Sequence, residues 1–322
     1  MSFSSINLET LYKPKNHDDI RLTSSWENWI PNSLEEVTQK TYHIGGYPCD
    51  LGIEKNGGRP GAKLAPATIR SILSRMTPPA VLQNYDIKIF DHGDMDSSLE
   101  LQEQQFKIIE EVKDVLDMGG QWIGIGGGHD YGYPDGAGFI EHCLDKDPDR
   151  KPIIINFDAH LDVRSDEQGI TSGTPFYKLL KKYPNQFDFV EIGIQSHCNS
   201  RTHYEFVKDH GGTVIWLEET LYCSTNFHEH VLSILAPLLI KTRPAYLSVD
   251  IDVFSNSYAM GCSQSWSTGL SPDLFFPVFK TIIERLDVRT LGIYEVSPPL
   301  DLDNITSKLA SQIIYNFIYE TL

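Results

Sequence analysis

Residues 153–164 read "IIINFDAHLDVR", an apolar run that ends in Asp158, His160 and Asp162, one ionisable group at every second position. Period two puts side chains on one face of an extended chain, so the three groups converge on one side. The run before them is apolar at nearly every position. That pattern marks a strand covered on both faces, as in a parallel sheet between layers of helices.

The rest of the chain repeats it. "YHIGGYPCD" (42–50), "YDIKIFDHGDMD" (85–96), "QWIGIGGGHD" (121–130), "FDFVEIGIQ" (187–195), "GGTVIWL" (211–217), "PAYLSVDIDVF" (244–254) and "VRTLGIYEVSPP" (288–299) read as further strands, mostly with helical segments between them. "APATIRSIL" (65–73) and the amphipathic "LELQEQQFKIIEEVKDVLDMG" (99–119), closed by a glycine, are two of those helices. Such alternation predicts βαβ units, hence an α/β fold with a mainly parallel sheet covered by helices on both faces. Ligands then bind beyond the carboxyl ends of the strands, where the polar residues of this chain fall. Residues 1–40 are polar and weakly periodic and are expected to form an extension or arm. Residues 41–322 are expected to form one domain, since no linker-like tract divides them.

Composition narrows the function. The 322 residues include 44 acidic and 27 basic ones, a net charge of −17, which argues against nucleic acid or an anionic membrane as a partner. Cys49, Cys143, Cys198, Cys223 and Cys262 are scattered and form no CxxC pair. They suggest neither a disulfide framework nor a thiolate zinc site, and fit a reducing cytoplasm. No run approaches transmembrane length, and no basic-then-apolar export signal opens the chain. A small-molecule substrate is the expected partner.

Three segments carry the chemistry: His129 after "WIGIGGG", the Asp158/His160/Asp162 set, and Asp250 with Asp252 in "LSVDIDVF". Each follows a strand, so a parallel sheet can gather all of them at one edge. A D-x-H-x-D or a D-x-D alone is as often turn chemistry; their conjunction is the signal. Four clustered carboxylates would be prohibitive without cations, since an isolated buried ion costs on the order of tens of kcal/mol and neutralises instead. Two divalent cations balance the four charges. Carboxylate oxygen with a minority of imidazole nitrogen suits Mn²⁺, with Zn²⁺, Ni²⁺ or Fe²⁺ as alternatives. An EF-hand is excluded, because Val163 and Gly169 stand where that loop needs Gly and Glu. His129 likewise breaks a G-x-G-x-x-G dinucleotide motif.

In this order, "GGGHD", "NFDAHLD", "SVDIDVF" and "YEVSPPLD" resemble the signature segments of the ureohydrolase (arginase and agmatinase) superfamily, over a stretch from about residue 42 to the end. The resemblance implies a three-layer α/β/α fold, two Mn²⁺ per chain, hydrolysis of C–N bonds in guanidino or formimino compounds, and a homo-oligomer, commonly a trimer or hexamer. It also implies that His129, Asp158, Asp162 and Asp250 hold one metal, and Asp158, His160, Asp250 and Asp252 the other, with Asp158 and Asp250 bridging. By the same resemblance Asp162 shuttles a proton, and Glu295 in "IYEVSPP" holds the cationic amidine or guanidine.

The chain departs from arginases and agmatinases at one informative place. Those enzymes carry a histidine soon after the D-x-H-x-D segment; here "TSGTPFYKLL" puts Ser172 there. Serine does not titrate near neutrality, so a guanidine hydrolysis that relies on imidazole would be impaired. "SGTPF" and "CDLGIEKNGGRPGAKLAPATIR" instead resemble the formimidoylglutamase branch, which hydrolyses N-formimidoyl-L-glutamate to L-glutamate and formamide at the end of histidine breakdown. Arg164 fits that branch, because a glutamate derivative carries two carboxylates and a guanidinium can grip one bidentately. Asn56 and Arg59 in the Gly-rich loop, Ser172, and Gln195 at a strand end are further expected substrate contacts. His197, His203, His228 and His230 carry little weight, lacking metal-ligand spacing. The competing readings are a ureohydrolase acting on a guanidino compound, a deacetylase with a single zinc, and a metal-stabilised binding protein. His160 beside a complete D-x-D pair disfavours the deacetylase, and the full set of expected ligands together with Glu295 disfavours the binding protein.

Overall fold

A computed structural model describes residues 3–13, 20–28, 40–80, 87–221 and 226–321. Among them ten strands form one sheet. These are β1 (Phe3–Ser4), β2 (Trp26–Asn28), β3 (Lys40–Gly46), β4 (Ile87–Met95), β5 (Gln121–Ile125), β6 (Ile153–Phe157), β7 (Asp188–Ile194), β8 (Thr213–Trp216), β9 (Pro244–Asp250) and β10 (Asp287–Tyr294). Their order in space is β1-β4-β3-β5-β10-β9-β6-β7-β8, with β2 also paired to β4. β1 runs antiparallel to β4, and the other pairs are parallel.

The strands are apolar at consecutive positions because each face meets a helix layer. In β6, Ile153, Ile155 and Phe157 point into one core with Ile69, Phe279 and Ile313, from helices Ala65–Leu73, Pro272–Arg285 and Ile305–Glu320. Ile154 points into the opposite core with Val112, Phe139 and Leu179, from helices Leu101–Asp117, Gly132–Lys146 and Pro175–Lys182. The result is the three-layer α/β/α arrangement that the run at 153–157 predicts.

Among the described residues before β3, β1 and β2 extend the sheet along β4. Leu22 and Trp26 are buried, and the Trp26 indole donates to Asp91 at 3.0 Å. Asp91 also pairs with the buried Arg70 at 2.9 Å, which ties the arm, β4 and helix Ala65–Leu73 together.

Register aligns the ends that matter. Tyr294 lies opposite Asp250, Phe157 opposite Val249, and Ile293 opposite Ile125. The residues that follow β5, β10, β9 and β6 therefore emerge side by side at the carboxyl edge of the sheet.

Candidate metal centre

Seven sequence-predicted groups meet at that edge. His129 follows β5; Asp158, His160 and Asp162 follow β6; Asp250 ends β9 and Asp252 lies just beyond it; Glu295 follows β10. Among the described residues, ligand atoms of His129, Asp158, Asp162 and Asp250 lie within 4.8 Å of one another, as do those of Asp158, His160 and Asp252. Asp158 belongs to both groups. Asp250 joins only the first: its Oδ1 accepts the Asp252 backbone N–H at 2.9 Å, which turns its other oxygen toward His129.

The donor set fits divalent cations. His129 Nδ1 has no hydrogen-bond partner, although oxygens of Asp158, Asp162 and Asp250 stand 3.1, 3.0 and 3.2 Å from it. Its other nitrogen, Nε2, is 2.8 Å from Ser248 Oγ, which orients the ring with Nδ1 facing the carboxylates. Protein groups alone leave this cluster poorly compensated. Burial, then Asp252 and Asp158, drive the Asp250 carboxyl well above the usual range. Burial and Asp158 push Asp252 up to about 6 against the pull of His160. Glu295 rises well above its usual range through burial, Asp250 and Asp252. Asp158 goes the other way: burial opposes its ionisation, but the flanking His129 and His160 outweigh it. Convergent buried oxygens with raised proton affinity and an unpartnered imidazole nitrogen are what a cation pair satisfies.

A polar row supports the ligands from within the sheet. Glu191, Asn156 and Ser248 lie in register across β7, β6 and β9. The Asn156 amide donates to Glu191 at 2.8 Å and to Asp158 at 3.2 Å. Beneath His129, the Tyr294 ring stacks at 4.9 Å, and its hydroxyl donates to the buried Asp135 at 2.5 Å.

The cluster opens into a cavity of about 250 Å³ lined by His160, Asp162, Asp250, Asp252 and Glu295 at its floor. Asn56, Arg164 and Ser172 also line it, as expected. Asn56 donates to Ser172 Oγ at 3.1 Å. Arg164 is exposed, and among the described residues none forms an ion pair or hydrogen bond with its guanidinium. Its stem lies over Gly173, where an added Cβ would stand 2.7 Å from Arg164 Cδ; that glycine leaves the stem its room.

Two expected substrate contacts are engaged elsewhere. Arg59 donates to Ser263 O and Cys262 O, each at 3.0 Å. The Gln195 amide is buried and exchanges hydrogen bonds with Thr268. Neither lines the cavity; both pin the segment that supplies Ser263, Gln264 and Trp266 to its wall. The cavity also holds Cys198, Asn199 and His203, which sequence reasoning passed over because each sits in a polar stretch without motif spacing. Cys49, Cys143, Cys198 and Cys262 are unpaired, and Cys223 lies outside the described residues.

Known proteins resemble this chain over most of its length. The arginase family model matches residues 40–319. The formimidoylglutamase of Clostridium tetani is 30% identical over 330 residues, covering 95% of both chains. That of Streptococcus gordonii is 31% identical over 290 residues, covering 88% of this chain and 85% of the relative. Among solved structures, the Trypanosoma cruzi formiminoglutamase with Mn²⁺ superposes with a TM-score of 0.78 at 29% identity, covering 94% of this chain and 98% of that one. From the aligned strand ends to the matched length, the chain belongs to the arginase family.

Proposed function

We propose that this chain hydrolyses N-formimidoyl-L-glutamate to L-glutamate and formamide, a reaction of histidine breakdown, at a centre of two Mn²⁺. The observation that carries the reading is the polarity of the cavity: Glu295 and the acidic cluster at its floor, the unpaired Arg164 guanidinium at its outer part. An amidinium joined to carboxylates matches that polarity, and such a compound is the substrate named for the relatives. Ser172, hydrogen-bonded to Asn56 where guanidine hydrolysis would call for an imidazole, supports the formimino substrate over a guanidino one.

When bound, the divalent ions supply Lewis acidity and make water a competent nucleophile near neutral pH. Glu295 accepts the amidinium N–H groups and holds the reacting carbon over the cluster. Asp162 takes a proton from the attacking water and returns it to the substrate nitrogen as the C–N bond breaks, so formamide and the free amine of glutamate leave. Arg164 grips a carboxylate with its planar fork. The enzyme is proposed to be cytoplasmic, which the unpaired cysteines support, and a homo-oligomer, trimeric or hexameric.

The deciding experiment is an assay of Mn²⁺-loaded protein against N-formimidoyl-L-glutamate, agmatine, arginine and guanidinobutyrate, with formamide and urea measured separately. Formamide release from the first should dominate. Faster urea release would sink the reading. Arg164→Ala should raise KM, since truncating one partner of a charge pair costs about 2–5 kcal/mol. Lysine at that position should restore only part of the loss.

A further inference from the structure

We propose that His203 is a specificity-determining residue which, together with Arg164, binds the side-chain carboxylate of the substrate; this rests on the formimidoylglutamate reading above. His203 stands in the first turn of helix Arg201–Asp209, where Ser200 Oγ accepts its backbone N–H at 3.2 Å. The residue is half-buried and lines the cavity with Asp162 and Arg164. No described residue hydrogen-bonds its ring. On its own helix, Arg201 and Glu205 pair with each other at 2.7 Å in solvent and leave the imidazole alone.

Charge distribution assigns the ligand. Of the described cavity-lining residues only His160, Arg164 and His203 can be cationic, and His160 is 3.0 Å from Asp252 within the acidic cluster. Arg164 and His203 are thus the two cation-forming groups of this wall with no protein partner among the described residues. In N-formimidoyl-L-glutamate one carboxylate adjoins the amidine and the other lies further along the chain. With the amidine at Glu295, the distal carboxylate extends away from the acidic floor toward Arg164 and His203. A guanidinium fork satisfies one edge of a carboxylate, and an imidazole N–H takes a remaining lone pair. Without ligand, burial and then the Arg164 charge lower the proton affinity of His203, with Asp162 pulling the other way. A carboxylate bound beside both side chains raises the proton affinity of His203, so its binding and protonation of the imidazole favour each other.

The test is steady-state kinetics of Mn²⁺-loaded wild type, His203→Ala and His203→Gln on N-formimidoyl-L-glutamate and on N-formimidoyl-L-glutamine, whose distal end is neutral. His203→Ala should raise KM for the glutamate compound about tenfold, leave kcat within about twofold, and leave KM for the glutamine compound unchanged. Gln, which keeps a donor, should recover part of the loss. Wild-type KM for the glutamate compound should rise from about pH 6 to 8, and the rise should vanish in His203→Ala. Calorimetric binding of L-glutamate against L-glutamine gives the same comparison without turnover. If the wild type releases no formamide, the substrate assignment fails while calorimetry still judges His203. An equal KM increase for both compounds, or a loss of kcat at unchanged KM, which would mark a proton relay, overturns the proposal.

Discussion

Two non-glycine residues of the cluster hold left-handed backbone, Asp162 at φ 44° and Glu295 at φ 64°. That conformation costs about 1–2 kcal/mol per residue and persists where surroundings over-determine it. At Glu295 the surroundings are visible: its N–H donates to Gly127 O at 3.0 Å, and its Oε1 accepts the His129 N–H at 3.1 Å. Glu295→Gln preserves the backbone and the acceptor oxygen but not the charge. We predict near-normal metal content and melting temperature, with kcat/KM lowered by about a hundredfold. Undiminished turnover in a folded, metal-replete variant would give Glu295 another role. At this scale the cluster was legible from strand-end position, whereas the period-two expectation fails: β6 ends at Phe157, a bend follows at residues 159–160, and Asp162 turns left-handed, so Asp158, His160 and Asp162 meet on a folded loop rather than on one face of an extended chain. Arg59 and Gln195, expected as substrate contacts, do not line the cavity, because tertiary hydrogen bonds to Cys262, Ser263 and Thr268 engage them behind its wall. His203 was hidden, since nothing local distinguishes a cavity-facing imidazole from a solvated one on a polar helix.

The elements around the site divide the same way. β3 to β10 were legible, most of them as apolar runs, since burial on both faces leaves a clear local pattern; β8, at the sheet edge, is only partly buried, and β4 carries Lys88, Asp91, His92 and Asp94. β1 and β2 were not, being two and three residues long in polar surroundings and held by pairing with β4. The row of Glu191, Asn156 and Ser248 also needed the register across β7, β6 and β9, which no single strand encodes. Its role yields a prediction. Asn156→Leu frees Asp158 from its amide donor, and Ser248→Ala releases His129 Nε2. Each should weaken Mn²⁺ affinity by about 10–100-fold in chelator competition. An unchanged affinity in both variants would make the row a packing feature only.

At the scale of the molecule, a buried acidic cluster links metal, protons and stability. In the metal-free fold Asp162, Asp250, Asp252, Glu191 and Glu295 have raised pKa values, with burial first among the causes. Asp130 and Asp135, each pushed up to about 7 by burial, add to them. His129 and His160 are also raised, because neighbouring aspartates outweigh their burial. All these groups bind protons more tightly folded than unfolded. From about pH 4 upward the unfolded carboxylates ionise first, and the histidine contribution fades as pH rises through their folded values; both make stability fall. Asp158, shifted down, acts only in acid, and His43, His142 and His203, each lowered first by burial, oppose the fall up to about pH 6.5 but are outnumbered by the raised groups. We therefore predict that the melting temperature of chelator-treated protein drops by about 5–10 °C between pH 5 and 8. Mn²⁺ competes with those protons, so the rise in melting temperature at fixed Mn²⁺ should grow over the same interval, with two ions per chain at saturation. Calorimetric scans with and without metal at each pH read both quantities. Metal-free protein that gains stability toward pH 8, or a metal-induced shift that stays constant with pH, would mean that the cluster's protons and its cations do not share one site.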